Sequence, residues 1–160
     1  MGICPAEQED GLLLKLIHNE KTDEPEVDIR YAHMTSEIER VASFIRNMNV
    51  SVKCRTEDGE CYISAADIYY VESVDKKSFV YCREKVYQTD YRLYELEEEL
   101  RGNGFVRISK SCILNIEVLQ AIRPLLNSRL EASLLNGEKV FISRKYLSEV
   151  KNILQRRQGL

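Results

Sequence analysis

The chain has 160 residues, 44% of them apolar, enough to pack the core of one domain or of one domain with a small extension. No apolar run approaches the roughly 18 residues of a membrane span, and the start, with Cys4, Pro5 and acids, lacks the basic-then-apolar order of a secretory leader. The formal charge of -3 averages two unlike parts: residues 1–50 carry five Lys/Arg against ten Asp/Glu, whereas from Arg107 onward ten basic residues face four acidic ones.

In chain order, residues 1–10 are polar and acidic and read as a frayed end. Leu12-Leu-Leu-Lys-Leu-Ile17 and Val27-Asp-Ile-Arg-Tyr31 read as two strands, linked by a turn-like stretch with Asn19, Asp23 and Pro25. A helix follows. Ser36 and Glu39 have capping-box spacing, and Ile38, Val41, Ala42 and Ile45 recur at helical spacing until Asn47 to Asn49. This β-β-α segment is too small to stand alone and should pack on something.

From Val50 the pattern becomes short strands with regular turns. Val50–Arg55 alternates, Glu57-Asp58-Gly59 turns, and Glu60–Ile63 returns as a hairpin. Ser64–Asp67 makes a corner into Ile68–Ser73; a polar break at 74–78 precedes Phe79–Arg83, and Glu84-Lys85 leads to Val86–Gln88. Leu93, Leu96 and Leu100 mark a short acidic helix, stopped at Gly102-Asn-Gly104. Three strands are expected next, Val106–Leu114, Leu119–Leu125 and Leu130–Leu134. Asn136-Gly137 is a type I′ turn candidate before Lys139–Ile142. Ser143 is placed to N-cap a last helix with Leu147, Val150, Ile153 and Leu154 on its apolar face.

Two stretches carry the chemistry. Phe105–Ile116 alternates apolar residues with Arg107, Ser109 and Ser111, has Lys110 beside them and contains no acid; Val140–Leu147 carries Ser143, Arg144 and Lys145 where its apolar pattern breaks. Cations and hydroxyls without acids suit phosphates and guanine edges. Enzyme chemistry is not expected. The only histidines, His18 and His33, neighbour no nucleophile in sequence, and there is no Gly-rich phosphate loop. Five cysteines without a C-x-x-C pair point to reduced thiols rather than disulfides or zinc, and Cys112 lies in an apolar run. The acidic run Glu95–Glu99 reads as a solvated helix face and not as a metal site. No cofactor is expected. Tyr69, Tyr70, Tyr81 and Tyr87 read as strand formers that pack, rather than as stacking platforms for single strands.

Residues 50 to about 155 resemble the LytTR DNA-binding domain of bacterial transcription regulators. The resemblance is carried colinearly by Ile68-Tyr-Tyr-Val-Glu-Ser73, by Leu93-Tyr-Glu-Leu-Glu-Glu-Glu-Leu100 before Phe105-Val-Arg-Ile-Ser-Lys-Ser-Cys-Ile-Leu-Asn115, and by Asn136-Gly137 leading into Ile142-Ser-Arg-Lys-Tyr-Leu147. It implies a mainly β (α+β) fold, a compact stack of small antiparallel sheets with a C-terminal helix, here preceded by the short β-β-α extension. The domains would be 1–49, for dimerisation or partner binding, and 50–160, for DNA. Contacts in this family come from loops rather than a recognition helix. By resemblance the first loop holds Lys76, Lys77 and Ser78, the last where some relatives place a base-contacting His. The second holds Ser109, Lys110 and Ser111, with Lys110 at the base-reading position and Arg107 expected on the phosphate backbone. The third holds Ser143, Arg144 and Lys145 at a helix start. Residues 1–49 lack the acid pair and strand-borne Lys of a phosphoacceptor receiver, which resembles the stand-alone branch, often encoded beside small membrane proteins. The expected protein is a cytoplasmic, homodimeric, sequence-specific regulator on double-stranded DNA, with a small membrane protein as a further partner. The other reading is a protein-interaction module whose N-terminal segment binds a partner, with little DNA readout.

Overall fold

The computed structural model describes residues 12–157; the acidic start with Cys4 and residues 158–160 lie outside the described residues. The chain divides into two compact units, Met1–Arg30 and Tyr31–Leu160. In the first unit, the described residues form no strand. The expected strands Leu12–Ile17 and Val27–Tyr31 are therefore not formed. Leu12, Leu13, Leu14, Leu16 and Ile17 are all exposed. Three successive leucines cannot share one strand face, and two strands alone bury too little to hold together.

The second unit opens with α1 (Ser36–Met48). Its N-cap is Thr35, not Ser36: the Thr35 hydroxyl accepts from the Ile38 amide at 3.4 Å. The buried side of α1 is Ile38 with the polar Ser43 and Asn47. Asn47 Nδ2 donates to the Asn103 carbonyl at 2.9 Å, and Ser64 Oγ donates to the Asn47 carbonyl at 3.3 Å.

Ten strands follow: β1 (Ser51–Thr56), β2 (Gly59–Ser64), β3 (Ile68–Val74), β4 (Lys77–Cys82), β5 (Val86–Thr89), β6 (Phe105–Arg107), β7 (Cys112–Asn115), β8 (Leu119–Pro124), β9 (Leu130–Leu134) and β10 (Lys139–Ile142). Helix α2 (Leu93–Glu99) sits between β5 and β6, and α3 (Leu147–Arg157) ends the described chain. A seven-stranded sheet has the order β2-β1-β5-β4-β3-β7-β6, and a three-stranded sheet the order β10-β9-β8. Every strand pair among the described residues is antiparallel, so none of them forms the parallel sheet of a receiver.

Period-two alternation gives the large sheet two buried faces. Val71 pairs with Ile113 and, with Val52, Cys54 and Val80, packs on Leu93, Leu96 and Leu100. Tyr70 pairs with Leu114 on the other face, where they and Cys112 of β7 pack with Ala132, Leu134 and Ile142 of the small sheet and Val150 of α3. Tyr70 stacks on its cross-strand partner Tyr81, with centroids 4.2 Å apart, so these rings are packing groups. Glu131 on β9 lies between Arg123 and Lys139 of the flanking strands, at 2.7 and 3.2 Å. The Lys139 hydrogen bond, reinforced by Arg123, holds its carboxyl below the usual value.

Three turns differ from expectation. The predicted strand Val106–Leu114 is a hairpin, β6 and β7 around the loop at 108–111. Continued alternation could not distinguish one long strand from two short ones paired through a tight loop. At Asn136-Gly137 only Gly137 has positive φ, 86°, so the turn is not type I′; Asn136 Oδ1 accepts from the Glu138 amide instead. Ser143 precedes a 3-10 turn, Arg144–Tyr146, and its carbonyl rather than its hydroxyl accepts the first bond, from Tyr146 N at 3.0 Å.

Candidate nucleic-acid interface

The first expected contact loop is shorter than read. Val74 pairs with Lys77, so only Asp75 and Lys76 form the turn between β3 and β4. Their φ values, 50° and 66°, are both left-handed, which is type I′ geometry without a glycine. Arg92 Nη1 donates to the Lys76 carbonyl at 2.7 Å and braces the turn. Lys76 and Lys77 are exposed, but Ser78 is 2% exposed within β4, between Ser73 and Thr89. Placing Ser78 among the contact residues is therefore corrected: strand alternation turns its side chain inward, away from any groove.

The second loop, 108–111, is fixed at every carbonyl. Ser143 N donates to Ile108 O at 2.8 Å, and Ser73 N to Ser111 O at 2.7 Å. Arg107 Nε donates to Ser109 O at 2.8 Å, and Arg107 Nη2 donates to Lys110 O. Ser109 Oγ accepts from the Ser111 amide at 3.2 Å, so the two half-buried serines shape the loop. Ile108 is wholly buried and anchors it, leaving the exposed Lys110 side chain at its tip.

The third segment joins the second through the Ser143–Ile108 bond. Arg144 and Lys145 are exposed; Lys145 Nζ lies 5.4 Å from the Tyr146 ring centroid, and Arg144 Nε donates to Asn127 O at 2.9 Å. Asn127 and Ser128, at φ 71° and 59°, form a left-handed turn between β8 and β9 that brings up Arg129. Arg129 lines a cleft of about 390 Å³ with Ser109 and Ser143, and a shallow basic recess with Arg144 and Lys145. The sequence reading left this segment out. Its signal was present: Asn-Ser between two apolar runs is a turn pattern, with a cation directly after it.

These segments share one side of the fold. β3 and β7 run side by side, so the Asp75-Lys76 turn projects just beyond the loop at 108–111, and that loop is bonded to Ser143. Lys76, Lys77, Lys110, Arg129, Arg144 and Lys145 are all exposed along it. Among the described residues, no group of three or more His, Cys, Asp or Glu is placed to hold a metal ion. No described helix is long and apolar enough to cross a membrane.

The family model "LytTr DNA-binding domain" matches residues 58–155. The chain belongs to the LytTR DNA-binding domain family. A solved LytTR domain, from a putative methyl-accepting/DNA response regulator of Bacillus cereus, superimposes with a TM-score of 0.62 at 32% identity. It covers 66% of this chain and 97% of that one. Sensory transduction protein LytT of Enterococcus faecalis is 31% identical over 104 residues, 65% of this chain and 43% of that protein. An uncharacterized HTH-type transcriptional regulator of Staphylococcus aureus is 26% identical over 143 residues, 88% of this chain and 97% of that protein. The chain spans less than half the length of the LytT proteins it matches.

Proposed function

We propose that this LytTR chain is a transcription regulator that binds double-stranded DNA in a sequence-specific way, reading the major groove of repeated half-sites through loops. The observation that carries this reading is the row of exposed cations on three turns tied together by backbone hydrogen bonds. No described helix competes for the role: α2 is acidic, and strands separate the three helices, so no two adjacent helices can form a helix-turn-helix. Lys110 is the proposed base reader, with Arg144 or Lys145 as a second. Lys76, Lys77 and Arg129 are proposed to hold phosphates, while Ser109, Ser111 and Ser143 support the loops that carry the readers. No catalytic residue is proposed.

Residues 1–49 are proposed to serve association and residues 50–160 DNA binding, in a cytoplasmic homodimer. Supporting this, the side of α1 turned from the β domain exposes Val41, Phe44 and Met48, at 37%, 55% and 60%. Sedimentation of the full chain and of a version lacking 1–48 tests it: a monomer in both cases defeats the homodimer and directs attention to another partner, such as a small membrane protein.

DNA binding is tested by fluorescence anisotropy on duplexes tiled through the region upstream of the protein's own gene, at two salt concentrations. One duplex bound far more tightly than the rest, with a steep salt loss, is the expected result. Weak binding that is equal on every duplex would defeat sequence-specific readout.

A further inference from the structure

Arg107 is the cation that sequence reading places on the phosphate backbone, yet its guanidinium faces inward. Its Nε and Nη2 groups donate to the carbonyls of Ser109 and Lys110, and Nη1 meets Glu97 Oε2 at 2.7 Å. Three of the five N–H donors are thus used, and the side chain is only 17% exposed. We infer that Arg107, locked to Glu97 of α2, is a positioning residue for Lys110: it sets the shape of the reading loop and does not contact phosphate.

The physical case rests on what the loop would do without it. A four-residue connection between short strands has four carbonyls to satisfy. Backbone amides take the outer two, those of Ile108 and Ser111. Among the described residues, the inner two, Ser109 and Lys110, are held by the Arg107 fork alone. That fork turns both dipoles toward a half-buried cation of the chain itself and orients the peptide that bears Lys110. Glu97 completes the arrangement by fixing the far side of the guanidinium plane from a different element. The pair also neutralises an acid near a surface meant for an anion. A lysine at 107 keeps the charge but cannot span two carbonyls and a carboxylate in one plane.

This inference rests on the DNA-binding reading, so the experiment has one arm without DNA. Amide hydrogen exchange of the free protein is compared for wild type, Arg107→Lys and Glu97→Gln, with thermal melts to confirm folding. Faster exchange at Ser109 and Ser111, with Val71 and Leu114 still protected, is expected in both variants. In the DNA arm, losing the alignment of one base contact should weaken binding to the preferred duplex by about ten- to hundredfold in Arg107→Lys. The dependence of affinity on salt should not change, because no phosphate contact is lost. A phosphate role predicts the reverse: Arg107→Lys close to wild type, and Glu97→Gln binding more tightly because the guanidinium is freed. Either of those results overturns the inference, as does unchanged exchange in the loop. If wild type itself prefers no duplex, the DNA reading falls and the exchange arm alone decides whether the fork sets the loop.

Discussion

The turn at Asp75-Lys76 and the loop at 108–111 bring a lysine to the same side of the protein by opposite physical means. The first is a bare two-residue hairpin turn. It holds two non-glycine residues at left-handed φ, braced by one bond from Arg92 to the Lys76 carbonyl. The second has no positive-φ residue; it is held by a buried isoleucine, four satisfied carbonyls and an arginine fork. A strained two-residue turn can carry a charge but has little to orient it. A loop with every carbonyl bonded presents its tip in one direction. The difference suits a phosphate contact at Lys76 and a base contact at Lys110, since phosphates accept from many directions and base edges from few.

The largest test of this contrast removes the anchor of the second loop. Ile108→Ala leaves a cavity in the core and should cost about 2–5 kcal/mol in urea unfolding. A cost near zero would mean that the loop does not rest on Ile108. Lys110→Ala comes next: by the value of one good base contact it should lose about 1–3 kcal/mol at one operator position, measured on duplexes substituted position by position. Lys76→Ala should weaken every duplex alike and lower the salt slope by about 1. If the two lysines behave alike, the division of labour between the loops is wrong.

A smaller effect probes the strain itself. Lys76→Gly relieves a left-handed lysine and should stabilise the fold by about 0.5–1 kcal/mol, while still losing the phosphate contact. A gain in stability with a loss in affinity would show strain retained for binding; a loss in both would show that the lysine stem is part of the packing.

An effect absent at neutral pH, and appearing only in alkali, lies in the core behind the loops. Burial pushes the Cys54 and Cys112 thiols up to about 12 and Cys82 up to about 11, from an ordinary 9.0. The folded state therefore keeps protons that the unfolded chain releases, and stability should fall as pH rises from 9.0 through about 12. Unfolding curves between neutral and alkaline pH test this, and a maleimide should label these three thiols slowly until the protein unfolds.

Much of the β domain was legible because alternation and turn chemistry are local. The strands β1 to β5 lie where apolar alternation put them, except that β3 and β4 extend into the polar stretch between them, and α2 follows its three leucines. The N-terminal strands failed because a β-run is only half an instruction: without a neighbour to cover one face, Leu12–Ile17 stays exposed. Ser78 was misplaced because a polar stretch conceals how short a turn can be. The partners of Arg107 were not legible because a cation in an alternating run says nothing of the carbonyls and the carboxylate that surround it.

By itself, the sequence determined where most strands of the β domain lie, the apolar alternation that packs them and the clustering of cations toward the C-terminal half, all of which depend on residue type and spacing along the chain. Only the tertiary structure decided which cations face outward. Pairing β3 with β7 and bonding Ser143 to Ile108 brings residues far apart in sequence onto one side. The same folding closes Glu97 over Arg107 and withdraws one of the most prominent cations of the sequence from the surface.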